Sequence, residues 1–172
     1  APLNRATTAR GTFSCIGTDD VATTPALKTQ PPPGPDFTDL PGGMPQVETR
    51  LAVLHHEGVV KGRISLNRLV YLLSAGPARV FGLYPQKGAI AAGSEADLVL
   101  FDPKREKTIN ASELHSGADY TVFEGWKVKG WPVLALLRGD VIIDKGMLVN
   151  NAGQGRCCLR KIDPQILKGP AA

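Results

Sequence analysis

"FSCIGTDDVATT", residues Phe13 to Thr24, runs from a short apolar stretch into a pair of acids, Asp19 and Asp20. The stretch Phe13–Gly17 reads as one buried strand, and carboxylates at the end of such a strand are common carriers of chemistry. No second strand comes directly after it. The next segment, "TPALKTQPPPGPDFTDLPGGMPQ", is rich in Pro and Gly and too long to be a plain connector, so it is expected to carry function or to lack order. A lone strand leaves its backbone donors and acceptors unpaired, and with helices around it it cannot close a sheet. The early part of the chain therefore reads as a piece of a larger body.

Helical spacing appears after the Pro- and Gly-rich segment. "VETRLAVLHHEGV" sets Val47, Leu51 and Leu54 on one face, with Gly58 as the expected stop. "RISLNRLVYLLSAG" is stronger: Ser65 can cap, and Leu66, Leu69, Val70 and Leu73 share a face. A third, short helix is expected from Pro77 to Gly82. From Gly88 the texture turns to β. "ADLVLFD" is an apolar run closed by the Asp102–Pro103 turn signal, and "WKVKGWPVLALLRGDVIIDKGMLV" predicts three or four short antiparallel strands with turns at Gly130, "RGD" and "DKG". Arg138–Asp140 thus reads as a hairpin turn rather than an adhesion motif. After Asn150 no periodicity persists.

Composition narrows the function classes. The chain has 172 residues, 42% of them hydrophobic, which suits a soluble globular protein. No window approaches 18 uninterrupted apolar residues, and "APLNRATTARG" lacks the apolar centre of a secretory leader, so a cytoplasmic setting without a membrane partner is expected. The net charge is +4, but the basic residues are dispersed and not interleaved with aromatics, which argues against nucleic acid. Three cysteines, Cys15, Cys157 and Cys158, offer neither a disulfide framework nor a CxxC zinc pattern. Of the three histidines, His55 and His56 are consecutive on a helix, about 100° apart around its axis, and suit packing better than shared metal ligation.

Four blocks, "GTDDVATT", "DFTDLPGGMPQVETRL", "GRISLNRLVYLLSAGPARVFGLYPQKGAIAAGSEADLVLFDP" and "DYTVFEGWKVKGWPVLALLRGDVI", resemble in order the C-terminal portion of the hydantoinase and dihydropyrimidinase family, cyclic amidohydrolases of the amidohydrolase superfamily. The resemblance extends from about Leu3 to Arg160, and family proteins are more than twice as long. It implies an α/β fold: the C-terminal fragment of a (β/α)8 metal-dependent hydrolase barrel, whose last strand is Phe13–Gly17, followed by part of a small antiparallel β-sandwich. The implied division is 1–85 for the last strand, active-site loop and C-terminal helices of the barrel, 86–150 for the share of the sandwich, and 151–172 for a tail.

By the same resemblance the chemistry is the opening of five- or six-membered cyclic ureides to N-carbamoyl amino acids by a hydroxide held on two divalent metal ions, zinc by preference. Asp19 is implied as the catalytic carboxylate and as a metal ligand. Asp20 falls where many relatives have His, and Val21 where many have Cys. Gly42, often Asn in relatives, is implied as the substrate-binding position, acting through its backbone N–H and C=O. The family's other ligands, a His-x-His pair, a carboxylated Lys and two further His, have no counterpart in this sequence, so the chain by itself is expected to bind no metal pair and to be inactive. Family members are commonly homotetramers. A non-catalytic relative kept for assembly, and a partial gene product without its own activity, are the alternatives; the presence of Asp19 favours the enzyme.

Overall fold

The computed structural model describes residues 13–26, 42–149 and 153–164. Most of the Pro- and Gly-rich segment, 27–41, lies outside the described residues, as do residues 165–172 of the tail. Helix α1 (Arg50–Leu54) passes directly into a π-helical turn, His55–Val60. The expected stop at Gly58 is thereby overturned. Gly58 is buried inside the turn, where a Cβ would stand 3.0 Å from the Ile64 side chain, so its lack of a side chain serves close packing. The chain turns instead at Gly62, which has φ +66°.

Ser65 caps α2 (Leu66–Leu73) as expected, its Oγ accepting the Arg68 N–H at 3.1 Å. Leu69 and Leu72 are buried and form a cluster with Ile64, against which Ile16, Leu51, Leu54, Val59 and Leu73 pack. Leu66 and Val70, placed on the apolar face by their spacing, are exposed. Periodicity shows which side of a helix is apolar, but covering that side takes a second element, and none of the described residues covers these two. Helix α3 (Ala75–Val80) begins two residues before the expected start at Pro77, and the chain leaves it through Gly82, φ +71°.

Four strands form one antiparallel sheet in sequence order: β1 (Leu98–Thr108), β2 (Lys127–Leu137), β3 (Asp140–Asp144) and β4 (Met147–Leu148). Two expected turns are absent. β1 continues through Asp102–Pro103, and the ladder jumps from Asp102↔Trp131 to Glu106↔Lys129, so Pro103 falls in an irregularity where no ladder N–H is required. Gly130 lies inside β2 with φ +101°, at the same irregularity. The hairpins at Arg138–Gly139 and Lys145–Gly146 are as expected: both central residues of each have positive φ, the two-residue geometry that matches strand twist.

The buried strand expected at Phe13–Gly17 does not form: these residues adopt no strand, no strand among the described residues lies beside them to pair with, and Phe13 is exposed. Ile16 is held to the helices instead, its N–H donating to the Leu72 C=O at 3.2 Å. α1 joins the early and late parts of the chain, burying Ala52 and Val53 against Ile109, Val128 and Trp131. The histidines fasten the same junction. A ring nitrogen of His55, Nδ1, lies 2.7 Å from the Lys129 C=O, and the Lys129 N–H donates to His56 Nδ1 at 3.1 Å, so the two grip Lys129 of β2 through its backbone. No helix among the described residues is long and apolar enough to cross a membrane.

An ion-pair cluster closes the loop before β1. Lys87 Nζ bonds Glu95 Oε2 and Asp97 Oδ2, while Asp97 Oδ1 accepts the Arg138 N–H at 2.8 Å. Burial alone would raise the Asp97 carboxyl, but the Lys87 hydrogen bond, the Arg138 amide and both positive charges outweigh it and hold it below its ordinary value. Hydrogen bonds from Lys87 and Gln86 lower Glu95, and those to Asp97 and Glu95 raise Lys87. The carboxylates therefore contribute stability above their unfolded pKa near ~4 and lose it as pH falls through their depressed folded values. Lys87 contributes below about 10.4 and loses it as pH rises through its raised value. Lys87→Met is expected to be less stable than wild type in urea melts at pH 7, with the gap closing as pH falls through the lowered folded values of the two carboxylates; a gap unchanged by acid would refute this assignment.

Apolar groups remain on the outside, with Ile90 and Leu159 each 90% exposed and Leu66, Val70 and Phe81 about half exposed. Such surfaces favour association. The isolated 172-residue chain is expected to elute from size exclusion as assemblies, and a cooperative, compact species at 18.3 kDa would contradict this.

Candidate active site

The site is built where the segment after Phe13–Gly17 meets the segment leading into α1. Met44 joins them: its N–H donates to the Asp19 C=O at 3.3 Å, and its C=O accepts the Val21 N–H at 3.4 Å. Gln46 Nε2 adds a bond to the Thr18 C=O at 3.4 Å, and Arg50 Nη1 one to the Ile16 C=O at 3.2 Å. The two sequence-predicted site residues, Asp19 and Gly42, thus lie on neighbouring strips of backbone, with only Gly43 between Gly42 and the Met44 clamp.

Asp19 is exposed and has φ +51°, a left-handed conformation that Asp tolerates better than most residues. Asp20 is turned to another task. Its Oδ1 accepts the N–H groups of Gln46 at 2.5 Å and Val47 at 2.7 Å. These amides belong to the turn that precedes α1, closed by the Arg50 N–H bonding the Gln46 C=O at 3.0 Å. The adjacent acids therefore differ in role: one is exposed, and the other caps a helix approach 26 residues away.

Gly42 and Gly43 are also unlike. A Cβ added to Gly42 meets nothing within 4 Å, whereas one at Gly43 would stand 2.3 Å from the Asp19 carbonyl oxygen and 2.5 Å from Val21 Cγ2, at φ +76°. Gly43→Ala is expected to cost about 2 to 4 kcal/mol and to disorder the Asp19 segment, because overpacking against backbone adds to the strain of positive φ. Gly42→Ala should stay within about 0.5 kcal/mol of wild type. Urea melts of both variants check the contrast.

Sequence reasoning passed over the roles of Asp20, Gly43 and Arg50. Gly43 left a signal, the second glycine of a doublet next to a proline. Asp20 and Arg50 left none, since their partners are distant in sequence. His115 pairs with Glu48, its N–H and Nδ1 both meeting that carboxylate. With His55 and His56 bonded to Lys129, no group of three or more His, Cys, Asp or Glu among the described residues is arranged to hold a metal ion.

Residues 1–142 match the family model described as "Amidohydrolase family". A D-hydantoinase of Ralstonia pickettii is 48% identical over 126 residues, 73% of this chain and 27% of that protein. A D-phenylhydantoinase of Escherichia coli is 43% identical over 151 residues, 88% of this chain and 32% of its own. The chain thus spans roughly a third or less of the curated relatives it matches. Among solved structures, dihydropyrimidinase from Brevibacillus agri superimposes with TM-score 0.85 at 38% identity, covering 91% of this chain and 34% of that one. The L-hydantoinase (dihydropyrimidinase) from Arthrobacter aurescens does so with TM-score 0.73 at 34% identity, over 85% and 32%.

Proposed function

This chain belongs to the amidohydrolase family, in its hydantoinase and dihydropyrimidinase group, and from that premise we propose that the protein carrying it hydrolyses cyclic amides, opening five- or six-membered cyclic ureides to N-carbamoyl amino acids. Water adds to a ring carbonyl, the C–N bond breaks, and the departing nitrogen takes up a proton. Asp19 carries that proton, accepting it from the attacking water and delivering it to the nitrogen. Gly42 offers its backbone N–H and C=O to the ring's own alternating donors and acceptors, a pairing that needs no side chain. The observation that supports this assignment most is the Met44 clamp, which brings the segments of Asp19 and Gly42 together.

Amidohydrolases are metal-dependent in general, and a pair of divalent ions, zinc by preference, belongs to the proposal for the whole protein. The described residues do not fit such a centre by themselves: Asp19 is one ligand, and zinc takes three or four from protein. Residues 1–85 are proposed as barrel elements, with Phe13–Gly17 as the last barrel strand, residues 86–150 as a share of the sandwich and 151–172 as a tail. A homotetramer is the proposed assembly.

The test is ring opening of hydantoin and 5,6-dihydrouracil by the full-length polypeptide that carries this chain, followed by loss of ring absorbance and appearance of the carbamoyl product. Turnover supports the proposal. No turnover of either ring by folded, metal-supplemented protein would point instead to an assembly role.

A further inference from the structure

Asp19 is the one described non-glycine residue of positive φ near the site, and such a conformation persists only where the surroundings over-determine it. The bonds that hold this segment differ in strength. Those between Met44 and the backbone of Asp19 and Val21 are neutral and long, at 3.3 and 3.4 Å, and that of Gln46 Nε2 to Thr18 is 3.4 Å. The two bonds to Asp20 Oδ1, at 2.5 and 2.7 Å, are short and involve a charged acceptor, the class about twice as strong as neutral pairs. They also tie the Asp20 side chain to the turn that leads into α1, closed by the Arg50 N–H bonding the Gln46 C=O.

We propose that Asp20 is a positioning residue for the hydrolytic reaction: by bonding the amides of Gln46 and Val47 in the turn that precedes α1, it holds Asp19 in the conformation from which its carboxylate reaches the reacting atoms. This rests on the assignment of Asp19 as the proton carrier. Gly43 completes the device, since only a residue without Cβ lets the backbone of Asp19 come this close. Asn can replace Asp20 in this role, as its amide oxygen can accept the same two N–H groups; Ala cannot.

The experiment compares wild type, Asp20→Ala and Asp20→Asn in the full-length polypeptide that carries this chain, with hydantoin as substrate. Asp20→Ala is expected to lower kcat by about 10- to 100-fold with KM little changed. Asp20→Asn should keep kcat within about five-fold of wild type. A loss in Asp20→Ala that matches lost folded protein would reduce Asp20 to a structural role and overturn the proposal; so would an Asp20→Asn as impaired as Asp20→Ala. Hydrogen exchange of residues 42–54 provides a readout independent of turnover. If wild type opens no ring, the assigned function fails and the positioning role fails with it, whereas amides of Gln46 and Val47 exchanging at the wild-type rate in Asp20→Ala show that the clamp itself is wrong, whatever the activity.

Discussion

Asp19→Asn in the full-length polypeptide that carries this chain is expected to lower hydantoin opening by about 10²- to 10⁴-fold, the range that general acid and base groups supply. The substitution is close to isosteric. Asn populates left-handed backbone at least as readily as Asp, so the φ of +51° and the bond from Met44 N–H to the residue 19 carbonyl should survive. The carboxamide cannot take a proton from water or return one to a leaving nitrogen, so turnover should fall while the thermal midpoint stays within a few degrees. Circular-dichroism melts paired with initial rates make the check. Activity retained to within three-fold would remove Asp19 from the mechanism, and a large fall in melting temperature would show that the carboxylate is structural.

Gly130→Ala is expected to give the largest loss of stability, about 3 to 5 kcal/mol, because three costs fall on one position. At φ +101° any side chain is strained. The added Cβ would lie 2.3 Å from His55 Nδ1 and 2.6 Å from Phe101 Cζ. Neither neighbour yields easily: His55 is only 3% exposed, stacks edge-on against Phe101 with ring centroids 4.9 Å apart, and is bonded to the Lys129 carbonyl. Moving that ring also loosens the attachment of the π-helical turn to β2. Gly139→Ala is the control. It has φ +91° in a hairpin with nothing within 4 Å of the added carbon, so it bears the strain alone and should lose only about 1 to 2 kcal/mol. Urea melts of the two variants separate clash from strain, and equal losses would show that the contact at His55 is not the cause.

Local signals carried the reading of much of this fold. The Ser65 cap, the exit from α3 at Gly82 and the two hairpins at Arg138–Gly139 and Lys145–Gly146 depend on residues within a few positions of each other, and sequence spacing reports such contacts directly. Gly58, Pro103 and Gly130 misled for one shared reason. Glycine and proline punctuate chains through their own backbone preferences, yet here Gly58 and Gly130 serve close approach to Ile64 and to His55, and Pro103 falls where the ladder is already broken.

Sequence alone determined the identity of the acids at the end of the first apolar run, the order of helices before strands, and the ordered blocks that carry the family resemblance, since residue type and neighbour spacing are written in the chain. Tertiary structure alone decided which acid of the pair is exposed and which holds the turn before α1, that His55 and His56 jointly hold Lys129, and that Gly43 rather than Gly42 is sterically required. Each of these depends on groups far apart in the chain brought within bonding or contact distance, 26 residues for Asp20 and Gln46 and 74 for His55 and Lys129. Hydrogen bonds and steric exclusion act over a few ångströms of space, and no periodicity along the chain encodes which distant residue will arrive there.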